Sequence, residues 1–133
     1  MFTSRAEVVA TGFTEGSDPG RIGLLLALAN ATTPGARTYL ATVDGEPAAA
    51  AVSVRGEQAF LVGDATLPGF RGRGLQSALL RSRLRAAEAA GCRMAVAGVS
   101  PGGASHRNFE RHGFLVAYTS ITLIKHPPER RPS

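Results

Sequence analysis

The order of strand-like and helical segments predicts an α/β domain with a mixed, mostly antiparallel central sheet and helices on both faces. Three observations support this fold class. Three strand-like runs separated by glycine turns come first, a long amphipathic helical run follows, and a short apolar run typical of a covered strand comes next. The length of 133 residues suits one domain. We expect residues 1–126 to form it and residues 127–133 to be a flexible polar tail.

Two short helices are predicted before the sheet. The segment SRAEVVATG has the Ser-x-x-Glu spacing of a capping box. Asp18 followed by Pro19 is typical of a second helix start, because Asp caps the first turn and Pro suits the first helical position. We therefore expect helices over residues 5–12 and 19–31.

Three strands and two turns should form an antiparallel meander. Asp44 and Gly45 stand between two apolar runs, which is a strong signal for a β-hairpin. A second glycine turn, RGE, separates the second run from the third. The three predicted strands are ARTYLATV, PAAAAVSV and QAFLVGDAT.

The run GLQSALLRSRLRAAEAA has the periodicity of an amphipathic helix. Leu75, Leu79 and Ala86 share one face, and the charged residues lie mostly opposite. Gly91 is a natural residue to end this helix. After it we expect a covered strand, CRMAVAGV, a short helix ended by Gly113, GGASHRNFERHG, and a final strand, FLVAYTSITLIK.

Composition narrows the function classes. The longest apolar run is far shorter than a membrane span, and the first residues lack the apolar stretch of a signal peptide. With Cys92 as the only cysteine, an internal disulfide is excluded, so we expect a cytoplasmic protein. The net charge is +5, and all basic residues except Lys125 are Arg. Arg suits phosphate recognition, but an Arg-rich surface without a ligand explains the charge equally well.

The stretch FRGRGLQS is the main functional signal. It follows a strand and opens a helix, where backbone N–H groups and the helix dipole favour an anion. Gly72 and Gly74 leave the backbone accessible, and Arg71 and Arg73 add positive charge. The segment is therefore predicted to cradle a pyrophosphate. It is neither a Walker A loop nor the dinucleotide-binding fingerprint, since the required Gly-Lys-Ser/Thr and glycine spacing are missing.

In this region the chain resembles the GNAT-type N-acetyltransferases. Their loop pattern, Arg/Gln-x-x-Gly-x-Gly/Ala, is matched from Arg71 to Gln76, with Pro68 three residues earlier. Their last helix, ending in Gly-Phe, is matched by SHRNFERHGF. The resemblance covers roughly residues 38–125 in the order of elements.

The resemblance implies acetyl-CoA as cosubstrate and an amine acceptor, either a small molecule or a protein. The strand end would pair with the pantetheine arm like an added strand, the loop amides would hold the pyrophosphate, and Asn108 is a candidate to bond the cofactor arm. The expected cofactor-binding residues are Ala65, Thr66, Leu67, Arg71, Gly72, Arg73, Gly74, Leu75, Gln76, Ser77 and Asn108.

Four departures from the family pattern are present. Gln76 replaces the last small residue of the loop, and Phe109 stands where a Tyr often protonates the leaving thiolate. Gly102 replaces an Asn common before the last helix. We also expect the family's usual first strand to be missing, so a sheet edge would be uncovered. Such an edge favours pairing with a second copy, and we expect a homodimer.

Asp64 and Ser105 are the candidate catalytic residues. Asp64 is the only carboxylate in the third strand and a candidate general base; the alternative is a structural carboxylate that bonds to an Arg or to the backbone. Ser105 is a candidate acid, or it simply caps the last helix. Tyr118 and His106 are further acid candidates. Cys92 is expected to be buried. The His and Cys residues lack metal-ligand spacing, so no metal is expected.

The leading hypothesis is therefore an acetyl-CoA-dependent N-acetyltransferase. The alternative is a catalytically degenerate CoA-binding regulatory module. The missing Tyr and the short N-terminus favour this alternative. An RNA-binding domain is suggested by the sequence pI of about 10.6. That reading is disfavoured because the chain has few aromatic residues for base stacking.

Overall fold

The computed structural model describes residues 32–129. Four strands, one 3-10 turn and two helices make up this part of the chain: β1 (Ala36–Val43), β2 (Glu46–Arg55), β3 (Ala59–Thr66), the 3-10 turn Pro68–Phe70, α1 (Leu75–Ala89), β4 (Ala95–Ala97) and α2 (Ala104–Arg111). The helices predicted over residues 5–12 and 19–31 lie outside the described range.

The strands form one sheet in the order β1-β2-β3-β4. The first three strands pair in antiparallel fashion, and β4 pairs with β3 in parallel after the crossover through α1. This confirms the predicted α/β fold with a mixed, mostly antiparallel sheet. The chain divides into two compact units, one ending at Val99 and the other beginning at Ser100. The sheet and α1 belong to the first unit and α2 to the second; a single domain over residues 1–126 stays a prediction.

The β1–β2 hairpin forms as predicted. Asp44 and Gly45 both have positive φ, 51° and 80°. Two left-handed residues in succession are the mark of a type I′ turn, whose twist matches that of the strands. The predicted first strand, residues 36–43, has the observed bounds of β1.

Glycine is required at position 35, just before β1, because the backbone of Arg55 lies close to it. Its φ is +83°, and a Cβ at this position would lie 2.6 Å from the carbonyl oxygen of Arg55. The Arg55 N–H also donates to the Gly35 carbonyl at 3.1 Å. An added methyl group would therefore strain the pairing between β1 and β2.

We expect Gly35→Ala to lower the free energy of unfolding by about 2 kcal/mol, since it combines left-handed strain with a steric clash. Gly56→Ala is the matched control. Gly56 lies in the next turn, without left-handed φ, and a Cβ there meets nothing within 4 Å. Urea denaturation of both variants tests this, and equal stabilities would contradict it.

The centre of β2 is made of alanines that are fully buried, from Ala48 to Ala51. Ala49 and Ala51 pack against Leu79 of α1, with Leu75 and Tyr39 beside them. Such small side chains allow a helix to lie close to a sheet. The first turn of α1 is therefore held against β2 by direct packing.

Helix α1 ends in a Schellman motif. The N–H of Cys92 donates to the carbonyl of Ala87, and the N–H of Gly91 donates to that of Glu88, both at 3.0 Å. Gly91 has a φ of +84°, so its predicted role as the residue that ends the helix is confirmed. The carbonyl of Ala86 also accepts a 3.1 Å hydrogen bond from Nη1 of Arg55, which ties this end of α1 to β2.

Three expectations on the second half of the chain were wrong. The strand predicted over residues 92–99 is limited to β4, because a continuous apolar run does not mark where pairing stops. Cys92 precedes that strand and is half-buried rather than buried. Residues 114–125 are not a strand, and their side chains, such as Leu115 and Ile121, are largely exposed. Apolar and β-branched composition favours a strand, but a strand forms only where another strand pairs with it.

Within residues 32–129, no helix has both the length and the apolar character needed to cross a membrane.

Candidate functional site

Strand β3 extends past the end of β4, its neighbour on one side of the sheet. Its parallel pairing with β4 includes only Ala59, Phe60 and Leu61. On its other side β3 stays paired with β2 as far as Thr66. Between residues 32 and 129, no strand pairs with the Val62–Thr66 stretch on the side of β4. Among the described residues, the sheet is therefore open along the last five residues of β3, which we call the open edge.

The backbone at the end of β3 has a defined direction. The N–H of Leu67 donates to the carbonyl of Ala48 on β2 at 2.9 Å. Since successive residues of a strand direct their polar groups to opposite sides, the N–H and C=O of Thr66 are directed to the open edge. Leu67 itself is buried, and its carbonyl accepts a bond from the Phe70 N–H. Of the predicted strand-end residues, Thr66 is thus the one whose N–H is directed to the open edge, while its carbonyl accepts a bond from Nε of Arg71.

The loop after β3 is shaped by two left-handed glycines. Gly72 and Gly74 have φ of 76° and 74°. A Cβ built on either residue meets no atom of the chain within 4 Å. The glycines are required by backbone conformation, and the space beside them stays open. Residues 71–74 are all exposed.

The two loop arginines bond to their own chain. Nε of Arg71 donates to the carbonyl of Thr66 at 3.2 Å, which links the loop to the end of β3. The guanidinium of Arg73 lies 5.4 Å from the centre of the Phe70 ring, in cation–π contact. These contacts link both guanidinium groups to the residues that precede the loop.

The first turn of α1 suits an anion. Gly74 is its N-cap residue and provides no capping side chain, and the turn contains no acidic residue. The N–H groups of a helical first turn have no carbonyl within the same helix to bond, and the helix dipole makes this end positive. Leu75 packs into the core beneath, so the start of the helix is well anchored. Gln76 and Ser77 are half-buried in the same turn.

Asp64 lies in a β-bulge on the open part of β3. The register between β2 and β3 shifts here, so that Gly63 and Asp64 together oppose Ala51, and Gly63 has a φ of 64°. The Asp64 carboxylate accepts two hydrogen bonds from Arg83 of α1, at 2.6 and 2.5 Å. This two-point ion pair matches the structural role that the sequence left open for Asp64. Its role as a base stays a prediction.

Arg83 was missed by sequence reasoning, which placed the helix arginines mostly on the solvent side. It is 0% exposed, and Asp64 retains only 14% of its side-chain exposure. Arg83 follows Leu79 by four residues and precedes Ala87 by four, so it lies in the middle of the buried face. That spacing, together with a carboxylate on the neighbouring strand, was the available signal.

Ser105 and Asn108 lie on α2, in the second unit. The N-cap of α2 is Gly103, and no side chain caps this helix, so Ser105 is not its cap. Asn108 is buried, and its Oδ1 accepts a 3.3 Å bond from Nη2 of Arg111. His106 accepts a bond from the Gly102 N–H at Nδ1, and its Nε2 lies 3.0 Å from a Glu110 carboxylate oxygen.

Most of the predicted site is therefore assembled in the first unit. There the end of β3, the glycine loop, the start of α1 and the Asp64–Arg83 pair are brought together. Tyr118, an expected acid candidate, is 80% exposed. Among the residues that the structure describes, no three His, Cys, Asp or Glu side chains are grouped to hold a metal ion.

Comparison with known proteins supports this picture. A sequence model described as "Acetyltransferase (GNAT) family" matches residues 9–114. No curated protein sequence matches the chain significantly.

Solved structures with the same fold have low sequence identity. The aminoglycoside N-acetyltransferase AAC(6')-Iy, bound to the bisubstrate analogue CoA-S-monomethyl-acetylneamine, is 20% identical with a TM-score of 0.67, over 95% of each chain. A ribosomal-protein-alanine N-acetyltransferase from Brucella melitensis biovar Abortus 2308 is 16% identical with a TM-score of 0.68, over 90% of each chain. A transcriptional regulator from Bacillus halodurans C-125 is 14% identical with a TM-score of 0.69, over 94% of this chain and 97% of that chain.

Proposed function

Because the chain belongs to the GNAT acetyltransferase family, we propose that it transfers the acetyl group of acetyl-CoA to a primary amine. The observation that carries the proposal is the open end of β3, which leads directly into the glycine loop and the first turn of α1. A long ligand could place an amide-containing arm along the open end of β3 and a phosphate end at the loop and the first turn of α1.

The arm of the cofactor would bind along β3. Pantetheine contains two amide groups, which can pair with a strand edge as a short strand does. The Thr66 backbone is directed to that edge. The solved complexes of AAC(6')-Iy with CoA and with a CoA-based bisubstrate analogue support CoA as a ligand of this fold.

The pyrophosphate would bind at the loop. Open space at Gly72 and Gly74 allows close approach to the backbone. Arg71 and Arg73 supply positive charge, and the first turn of α1, including Gln76 and Ser77, supplies amide donors and a favourable dipole. The cofactor-binding set expected from the sequence is proposed in full, although the Leu67 side chain is buried and its backbone N–H and C=O both bond within the chain.

The transfer itself requires two proton movements. The amine must be neutral before its lone pair attacks the thioester carbonyl, and the thiolate must be protonated or stabilised as it leaves. Ser105 remains the proposed acid, whereas Asp64, the base expected from the sequence, accepts bonds from Arg83 at both of its carboxylate oxygens. Direct proton abstraction would have to compete with this ion pair.

Titration calorimetry of the wild-type chain tests the proposal first. We expect saturable binding of acetyl-CoA with a Kd in the micromolar range, about −8 kcal/mol, and weaker binding as salt is raised. Release of thiol from acetyl-CoA in the presence of a panel of amines then tests transfer. Absence of binding to both CoA and acetyl-CoA would refute the proposed function.

A CoA-binding regulatory module is the second candidate. Phe109 carries the observation that favours it, because it is buried, lacks a hydroxyl and contacts Phe114 edge to face with ring centres 4.9 Å apart. Tight CoA binding with no thiol release on any amine would support this candidate. A homodimer and a cytoplasmic location stay predictions.

A further inference from the structure

Arg83 joins three elements around the candidate site. Its Nη1 and Nη2 bond the Asp64 carboxylate on β3, and Nη1 also donates to the carbonyl of Val52 on β2 at 3.2 Å. Its Nε donates to the Leu79 carbonyl on its own helix at 3.3 Å. The Arg83 side chain is fully buried and the Asp64 side chain is 14% exposed, so water competes little for these bonds.

These bonds connect β3 and α1, the two elements that a ligand must contact at the same time if it spans the candidate site. Asp64 is in the bulge that begins the open part of β3, two residues before Thr66. Arg83 is on the helix whose first turn forms the anion site. The chain segment that connects β3 to α1, residues 67–74, is largely exposed and includes two left-handed glycines. The ion pair is thus a second and shorter link between strand and helix.

We propose that Arg83 is a positioning residue that acts through Asp64. It fixes the direction of the open end of β3 relative to the first turn of α1, so that one acyl-CoA can bind both at once. Asp64 serves in this role as the anchor on β3 and not as the base. The inference rests on the proposed function, since it concerns how the two halves of that cofactor site are held together.

The geometry of the carboxylate supports positioning over proton abstraction. Each Asp64 oxygen accepts a bond from a different guanidinium nitrogen, an arrangement that holds both partners in one plane. A ligand that spans two subsites binds tightly only when they are held at the right separation, and small displacements have large effects. A ligand that uses one subsite is insensitive to that separation.

The test compares a spanning ligand with one that uses only the loop. The variants are Asp64→Asn, Arg83→Met and the double variant, in which no buried charge is left without its partner. Arg55→Met is the matched control, because Arg55 also ties α1 to the sheet, but at the far end of the helix. Acetyl-CoA and 3′-phospho-ADP, the nucleotide portion of CoA, are titrated into each protein by calorimetry.

We expect the double variant to bind acetyl-CoA about tenfold more weakly than wild type, while its affinity for 3′-phospho-ADP changes less than twofold. The two single variants, where they fold, should show the same split. Arg55→Met should leave both affinities within twofold of wild type. General loosening of the fold would instead weaken both ligands together.

Three results would overturn the inference. One is a double variant whose affinities for both ligands fall by the same factor, and another is a double variant that binds acetyl-CoA as tightly as wild type. The third is Asp64→Asn with unchanged acetyl-CoA affinity and a turnover at saturating acetyl-CoA lowered at least a hundredfold, which would make Asp64 the base. Wild-type protein that binds neither ligand would refute the proposed function itself, so the two failures are distinguishable.

Discussion

Replacing Gly74 with Leu should lower acetyl-CoA affinity at least a hundredfold, a loss of about 3 kcal/mol. Gly74 has a φ of 74° and precedes the first turn of α1, and the space beside it is open in the chain itself. A leucine side chain would occupy the space proposed for the pyrophosphate and would also disfavour the left-handed backbone. Titration calorimetry with acetyl-CoA measures the change.

The control for this variant is Gly91→Leu. Gly91 also has left-handed φ, 84°, and open space, but it lies at the other end of α1. The 15 residues of that helix separate the two sites by about 22 Å. The backbone strain is therefore similar in both variants, while only Gly74→Leu obstructs the loop. Equal loss of acetyl-CoA affinity in both would mean that the loop is not the phosphate site.

The largest effect on stability is expected for Arg83→Met. This change leaves the Asp64 carboxylate, 14% exposed, without its two-point partner, and it also removes the donors to the Val52 and Leu79 carbonyls. Removing one member of a buried ion pair typically destabilises a protein by about 3–5 kcal/mol. We expect about 3 kcal/mol for this pair, measured as the change in unfolding free energy by urea denaturation.

Adding Asp64→Asn to Arg83→Met should recover at least half of that loss. The double variant has no unpaired charge, and methionine fills much of the space of the arginine stem. If the single and double variants are equally unstable, then packing and the backbone hydrogen bonds of Arg83, rather than the ion pair, dominate its contribution.

Local signals accounted for most of residues 32–99, the described part of the first unit. The positive φ of Gly45 marks the turn after β1, which was predicted from the pair Asp44 and Gly45. Gly91 marks the end of α1 for the same reason. These features depend on a few neighbouring residues, so the sequence predicts them well.

Features that depend on distant pairing were less accessible. An apolar stretch such as residues 114–125 has the composition of a strand, but pairing with another strand decides whether it becomes one. The bulge at Gly63 is likewise set by the partner strand, and it determines where the Asp64 carboxylate is directed. Arg83 was assigned to solvent because helix periodicity was judged by residue type, although its position on the face of Leu79 and Ala87 indicated burial.

The part of the candidate site that consists of consecutive residues could be predicted from the sequence. The glycine loop and the residues before it are consecutive, and the structure brings them together with the end of β3. Two other predicted residues are not consecutive with them, since the candidate acid Ser105 and the cofactor-binding candidate Asn108 lie on α2 in another compact unit. The acceptor amine has no comparable motif in the chain.

The open edge of β3 also bears on how the protein behaves in concentrated solution. Unpaired N–H and C=O groups on an edge strand attract the strands of other chains, and natural proteins usually protect such edges with charge, proline or a covering segment. The Val62–Thr66 stretch has to remain accessible if a ligand is to pair with it, so permanent protection would conflict with function. An acyl-CoA bound there would shield the edge, and the same molecule would then serve as substrate and as a guard against self-association.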